Sequence, residues 1–472
     1  MSTPPRWFKL FAIFATLGLL LAACGGAPDA AQPAATSAAP AAAQPTAAPS
    51  SAQDATAVAP EPAAGAATTG DPVTLTIWAE GGTVATMETA PDKQGRYGKF
   101  IVEQFEKEHP GVTVKLEDHG WDEVLRQNLT NALLANTAPD VIVGEGFWQL
   151  FAAQDALVPL EIEDIKANLI PGTYQAGVYN GKVYALSAFT GVFGFERNCA
   201  VIKAAGLDCD KPPQTWDDLL QEATTITKKG AGNSFGYTLQ GPVGFSVGGI
   251  FRVAVYLAQA GAPLCKDECS KPNFNDPKAI PVMEFLRNIN KQTPPGLTFN
   301  PDEGAVYQQL WQGKSAYQIA GSWHTNGAKD AGCTECRYSS VPLPKGGTPA
   351  SVVVGNAMYG VLKQSKNPNI ASEWVKFMTR DDVQDLAFPV FGRLPSTRSA
   401  LTKLRPNASP ADQTFIDVLL NSKDLQVLPQ WQKNPQLVWQ AYNDMLNKLL
   451  TTDAPIKDLL DEAQTTAENA LK

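Results

Sequence analysis

The chain has 472 residues, of which 44% are hydrophobic and 18% charged, with a formal net charge of −9. A body of this length exceeds a single hydrophobic core and should divide into two lobes. The acidic balance, with no basic stripe, excludes a nucleic-acid binder, and no phosphate-binding loop, metalloprotease helix or dinucleotide fingerprint occurs, so neither a cofactor nor a metal is expected.

At the start, Arg6 and Lys9 lead into an uncharged apolar run from Leu10 to Leu20. Such a run suffices for a signal-peptide core and is too short to span a bilayer. It closes on Leu21-Ala22-Ala23-Cys24-Gly25, which resembles the lipobox of bacterial lipoproteins. That resemblance implies a leader over residues 1–23, removed to leave Cys24 as a lipidated N-terminus. Residues 24–70 are an Ala, Pro, Ser, Thr and Gln tract with almost nothing to bury, so the sequence predicts a disordered tether reaching about 40 Å.

In the body, strand-like and amphipathic helical runs alternate, which predicts α/β architecture. Val73 to Trp78 alternates with period two and stops at Glu80-Gly81-Gly82. A helix is expected over Tyr97 to His109, closed by Pro110-Gly111, then a strand over Val112 to Leu116. Asp122 to Asn136 reads as a helix, and Pro139 to Val143 as a buried strand ending in Gly144-Glu145-Gly146. Strands ending in Gly and acidic residues place polar groups where open α/β sheets bind ligands. Farther on come Gly181 to Leu186, then Val192 to Phe195, a helix opened at Trp216 with Thr215 as N-cap, a long helix after Gly248 and another over Ile280 to Asn290. Ser315 to Ile319 is a strand leading to Gly321-Ser322-Trp323. Val352 to Asn356 and Met358 to Leu362 form a crossing segment, and helices dominate thereafter.

Besides Cys24 there are six cysteines in close pairs: Cys199 and Cys209, Cys265 and Cys269, Cys333 and Cys336. An even count in an exported chain points to disulfides, with local pairing the simplest arrangement. A zinc site from the last two pairs is the competing reading; a redox role for Cys333 and Cys336 lacks a thioredoxin-like surrounding.

Several segments, in order, resemble the extracellular solute-binding proteins of ABC importers, in the carbohydrate branch that contains maltose-binding protein. They are Phe105-Glu106-Lys107-Glu108-His109-Pro110-Gly111-Val112-Thr113-Val114, Ala138-Pro139-Asp140-Val141-Ile142, Ala156-Leu157-Val158-Pro159-Leu160, Asn180-Gly181-Lys182-Val183-Tyr184, Pro213-Gln214-Thr215-Trp216-Asp217-Asp218-Leu219, Gly313-Lys314-Ser315-Ala316 with Gly321-Ser322-Trp323, and Val341-Pro342-Leu343-Pro344-Lys345-Gly346. The resemblance implies a periplasmic-binding-protein-like fold of type II, with two α/β lobes, hinge strands and a ligand cleft between the lobes. It implies a first lobe over 71–187 plus 355–393 and a second over 188–354 plus 394–472. It further implies a monomer outside the cytoplasm, held at the outer face of the cell membrane by its lipid anchor. Its solute would be a sugar or oligosaccharide, handed to a permease that works with a separate ATPase; a glycerol phosphodiester is the alternative solute.

A neutral sugar requires hydrogen-bonding groups for its hydroxyls and flat aromatics for its ring faces. Glu80 and Glu145, at strand ends, are candidates for the first. Trp323 matches the family's stacking Trp, and His324 beside it is a possible donor. Polar groups are frequent in the family at the position of Asn356. Phe189 and Thr190 lie at the first crossing, Arg393 sits in a hinge loop, and Trp121, Trp148 and Trp431 are further stacking candidates. Trp78, Trp216 and Trp374 read as packing. Gly241 and Val243 stand where maltose-binding protein has acidic and aromatic side chains, so those contacts with maltose do not carry over.

One competing class is an enzyme. Gly244-Phe245-Ser246-Val247-Gly248 matches a nucleophile elbow, with Asp276 or Asp302 and then His324 downstream, the order of an α/β-hydrolase. Against it, Tyr237 to Pro242 is a poor buried strand, being short and broken by proline.

Overall fold

The computed structural model describes residues 72–472 apart from 82, 85–86, 88–92, 121, 243–247, 268, 355–356 and 422–424. Cys24, the leader and the tether therefore lie outside the described residues. Among the described residues, no helix is long and apolar enough to cross a membrane.

The first sheet is built from strands β1 (Val73–Trp78), β2 (Val112–Glu117), β3 (Val141–Gly144), β4 (Leu157–Val158), β5 (Leu186–Ser187) and a late-returning Met358–Leu362. Its order is β2-β1-β3, then Met358–Leu362, then β4, with β5 also pairing the late strand. The pairs β1–β2 and β1–β3 are parallel; the late strand runs antiparallel to its neighbours. Alternation along β1 sends Leu75 and Ile77 to one face and Trp78 to the other. Helix α1 (Lys93–Glu108) covers the first face, where Phe105 meets Trp374 edge-on at 5.0 Å. Helix α2 (Asp122–Ala135) and the short helix Trp148–Ala153 cover the second, with Leu125, Leu129, Trp148 and Phe151 packed on Trp78 and Ile142.

The second sheet centres on β6 (Phe189–Asn198), whose ten residues are all buried. It pairs with β8 (Ser315–Gly321), beyond which lies β7 (Phe235–Tyr237). On β6's other edge, β9 (Cys336–Ser339), β10 (Ser351–Val354) and β12 (Leu394–Pro395) pair in turn along its length. The number β11 is kept for Met358–Leu362 of the first sheet. One face is covered by α3 (Trp216–Gly230), α4 (Gly248–Ala260), α5 (Ala279–Asn290) and the C-terminal helices Pro435–Thr451 and Ile456–Leu471. The other carries Val192, Val353, Leu394, Leu401 and Phe415. Thr215 caps α3 in a reciprocal box: its Oγ1 accepts from Asp218 N–H at 3.0 Å, and its own N–H donates to Asp218 Oδ2 at 3.0 Å.

The chain passes between the sheets at three places: from β5 to β6, from β10 to β11, and from helix α9 (Asp381–Phe391), which packs on α1, into β12. The α/β fold and most elements expected from the sequence are present, with two differences. Val192 to Phe195 is the middle of a ten-residue strand, because fully buried strands lose the alternation that marks half-buried ones. Cys336–Ser339 is a strand that Cys-Arg-Tyr-Ser does not announce; pairing with β6 makes it one. The three cysteine pairs form locally, with Cα atoms 5.3, 4.8 and 5.5 Å apart in chain order, within disulfide reach. Among the described residues no three His, Cys, Asp or Glu side chains converge as a metal site.

Candidate functional site

The parallel strands β1, β2 and β3 end on a common edge of the first sheet. Beyond them stand Glu80, then Glu117-Asp118-His119, then Glu145. Glu80 does not stand alone. Arg393 donates to it through both arms of its guanidinium, Nη2 to Oε1 at 2.8 Å and Nη1 to Oε2 at 3.1 Å. This is the fork geometry that makes Arg–carboxylate pairs both strong and oriented. The pair is half-buried, at 23% and 29% exposure, so solvent reaches it. Behind it Tyr97 packs against Phe189 and Phe391, with ring centroids 6.2 and 5.3 Å away. Burial pushes the phenol pKa values of Tyr97 and Tyr359 upward, and the nearby Glu80 adds to both shifts. The Tyr97 hydroxyl is buried with no hydrogen-bond partner. At the next strand end, His119 stacks on Trp78 at 3.8 Å and its Nε2 lies 3.1 Å from Glu117 Oε2.

The second lobe contributes the turn after β8. A Cβ on Gly321 would fall inside the Trp323 ring, so glycine is what lets the indole fold back over the strand end. Trp323 is half-buried and meets Phe193 edge-on at 5.4 Å. It opens helix α7 (His324–Asp330), on whose first turn Asn326 is exposed. Gly392, which ends α9 with φ +63°, sits so close to Asn326 that a Cβ there would overlap its side-chain amide. The hinge loop carrying Arg393 thus touches the helix carrying Trp323.

Beneath Trp323 lies a buried polar cluster. Glu196, on β6, is fully buried and accepts from Gln318 Nε2 at 2.7 Å, Tyr338 Oη at 2.7 Å and Trp311 Nε1 at 2.9 Å, while His324 Nδ1 lies 3.3 Å away. His324 is itself fully buried, 4.4 Å from the Tyr307 ring. Burial holds its pKa below the ordinary histidine value, against the opposing pull of Glu196. The tautomer that satisfies the contact carries its proton on Nδ1. Arg252, on α4, is buried beside Phe193; its Nη1 donates to the Gly248 carbonyl and its Nη2 lies 2.9 Å from Glu303 Oε1.

Of the residues selected from sequence, Glu80 and Arg393 pair, and Trp323 opens the helix whose Asn326 meets Gly392, the neighbour of Arg393. Glu145 is half-buried at the end of β3. Phe189 and Thr190 start β6 and are buried, the threonine hydroxyl donating to the Val354 carbonyl at 3.3 Å. Trp121 and Asn356 lie outside the described residues. Five expectations are corrected. Phe189 and Thr190, at 3% and 0% exposure, offer no surface to a solute and pack at the first crossing. Trp148 is fully buried in the first-lobe core, where Gly360 leaves room for its ring, so it is a packing residue. Trp431 is buried against Trp439 and Phe274 at 5.5 and 6.0 Å and is likewise packing. His324 has no exposed surface from which to donate to a solute and instead supports Trp323 from below.

For the hydrolase reading, elbow residues 244–247, Ser246 among them, lie outside the described residues. Neither downstream aspartate orients His324: Asp276 accepts from Asn273 and the Lys278 N–H, and Asp302 caps the helix Glu303–Trp311. Sequence reasoning missed Asn326, Arg252 and the Glu117–His119 pair. The last carried a signal, since acidic and polar residues after an alternating strand also pointed to Glu80.

A family model, bacterial extracellular solute-binding protein, matches residues 89–385, more than half of the chain. The chain belongs to that family. A putative binding protein of Brucella abortus is 26% identical over 380 residues, covering 79% of this chain and 90% of the relative. The diacetylchitobiose binding protein DasA of Streptomyces coelicolor is 24% identical over 378 residues, covering 76% of this chain and 81% of the relative. Among solved structures, the sugar-binding protein MalE of Xanthomonas citri superposes with a TM-score of 0.71 at 17% identity, covering 84% of this chain and 97% of that one. This last likeness shows the two-lobed fold. Both relatives carry the name of a binding protein.

Proposed function

We propose that the protein is the extracytoplasmic receptor of an ABC importer, capturing a sugar or oligosaccharide in the cleft between its lobes and delivering it to a membrane permease. One observation carries this reading: the hinge loop that bears the Glu80–Arg393 fork packs on the helix opened by the half-buried indole of Trp323. Directional hydrogen-bonding groups beside a flat aromatic are what a ring of hydroxyls requires. Family membership, and relatives whose names include a diacetylchitobiose binding protein, support the same class of solute. Solute bound to one lobe and touched by the other favours closure about the three crossings. Cys24 carries the lipid, residues 24–70 keep the receptor near its permease, the three cysteine pairs are disulfides, and the receptor works as a monomer.

The test is a thermal-shift screen of sugars, polyols and phosphate esters, followed by calorimetry and small-angle scattering on the hits. A ligand at a hundred times its dissociation constant stabilises by about 2.7 kcal/mol, and closure should reduce the radius of gyration. A folded protein that no sugar or polyol stabilises would refute the sugar reading. For the anchor, Cys24→Ser should release the protein from the membrane fraction of cells; continued retention would refute lipidation there.

A further inference from the structure

Granting the sugar-receptor reading, we propose that the Glu80–Arg393 pair makes this site selective for an uncharged vicinal diol and closes it to phosphate-bearing solutes. Both oxygens of Glu80 are engaged by the Arg393 fork. Each oxygen retains a further lone-pair direction, and the guanidinium retains N–H groups that point away from the carboxylate. Neighbouring hydroxyls suit such a pair: one donates to a carboxylate oxygen while the next accepts from the guanidinium. The dianionic phosphate of a monoester offers acceptors to the guanidinium but no donor to the carboxylate, and at the outer N–H groups it would sit beside the charge of Glu80. To use the fork it would have to displace Glu80, leaving that half-buried carboxylate without its partner.

The surroundings act in the same direction. Glu117, Asp118 and Glu145 stand at the same edge of the first sheet; Lys115 lies 2.5 Å from Glu117, which with Glu80 and Arg393 leaves four carboxylates against two cations among these residues. In the second lobe Arg252, buried beside Phe193, is also matched, with Glu303 at 2.9 Å. An incoming dianion therefore meets a field of its own sign, without a free cation from these two arginines to offset it. The ion pair thus acts as a filter on the charge of the solute, in addition to holding the hinge loop against the end of β1.

The experiment compares the full-length protein with Glu80→Gln, which keeps the shape of the side chain and removes the charge that neutralises Arg393. Calorimetric titrations use matched probes: a sugar found by the screen, its phosphate monoester, and inorganic phosphate. In the parent, phosphorylation of the sugar should weaken binding about 100-fold or more, and inorganic phosphate should give no heat of binding. In Glu80→Gln the sugar should bind about tenfold more weakly, and inorganic phosphate should now bind. A parent that takes the phosphate ester as tightly as the sugar, or a folded Glu80→Gln with unchanged discrimination, would overturn the proposal. If no sugar binds the parent, the receptor reading fails, and the inorganic phosphate titration decides the filter separately: binding to the variant alone supports it, and equal behaviour overturns it. Should Glu80→Gln not fold, Arg393→Gln carries the test. It should lose about tenfold in sugar affinity and gain none for phosphate; unchanged sugar affinity overturns the proposal.

Discussion

Replacing Glu196 with leucine should cost more stability than any other single change to a polar side chain near the cleft. Four donors converge on this fully buried carboxylate, from Gln318, Tyr338, Trp311 and His324. Two have a second acceptor: Gln318 Nε2 reaches the Tyr307 carbonyl at 3.3 Å and Tyr338 Oη the His324 carbonyl at 3.4 Å. Trp311 Nε1 and His324 Nδ1 would be left with nothing. A buried donor without a partner costs about 1–3 kcal/mol, so two of them, with two weakened bonds, give a loss of about 3–5 kcal/mol. For a lobe of this size that is a fall in melting temperature of about 6–20 °C. Glu196→Gln keeps one acceptor oxygen, and both the Gln318 amide and the His324 tautomer can turn to meet its new N–H, so its loss should be about 1–2 kcal/mol. The measurement is calorimetric melting of both variants without ligand, with sugar affinity as a second readout because α7 carries Trp323. If Glu196→Leu melts within about 1 °C of the parent, the carboxylate does not hold this cluster and the reasoning fails.

Stability should fall as the pH drops below about 6.5: His324 is held neutral by burial with its folded pKa lowered, so the unfolded chain takes up the proton first, and the loss continues down to the folded pKa. His324→Gln should flatten that part of the profile of melting temperature against pH, and an unchanged slope would exclude His324 as its source. Gly392→Ala should cost about 1–2 kcal/mol from φ alone and more from overlap with Asn326; in a double-mutant cycle, Asn326→Gly should recover the second part only. Trp323→Ala should weaken sugar binding about tenfold or more with little change in melting temperature, whereas Trp431→Ala should cost about 3–5 kcal/mol of stability and leave the affinity of the folded fraction unchanged; the reverse pattern in calorimetry would exchange their roles.

The strands were legible where one face is buried and the other is not. Val73 to Trp78 announces itself by alternation, and the acidic residue after it marks the ligand edge on the same logic that applies to Glu145. Thr215 was legible because its capping box lies within four residues of sequence. What sequence could not supply was the partner of each side chain. Glu80 and Arg393 were selected separately, one for a strand end and one for a hinge loop, and nothing local indicates that they meet across 313 positions. The tryptophans make the same point from the other side. Trp148 and Trp323 both follow a glycine-containing turn at a strand end, yet one is fully buried and the other half-exposed. The difference lies in what the ring meets. Trp148 finds the space left by Gly360 on β11, far along the chain, while Trp323 folds over Gly321, two residues away.

The position of β6 explains why the two halves of the site cannot vary independently. Its first residues leave the first lobe, its middle pairs with β10 and β8, and its eighth residue is Glu196, which holds the helix that carries Trp323. Its first two residues pair with β12, which follows Arg393 directly. One fully buried strand therefore sets the distance between the fork and the indole, through β12 on one side and the Glu196 cluster on the other. Bending within β6 would break pairs with several neighbours at once, so the closure proposed above would have to be taken up at the short joins around Ala188, Ala357 and Gly392. Two of these joins already carry left-handed backbone, at Ala357 with φ +51° and Gly392 with φ +63°. At Gly392 the absence of a side chain makes that conformation inexpensive; at Ala357 it is strained, and the strain sits at a join where the backbone would turn in the proposed closure.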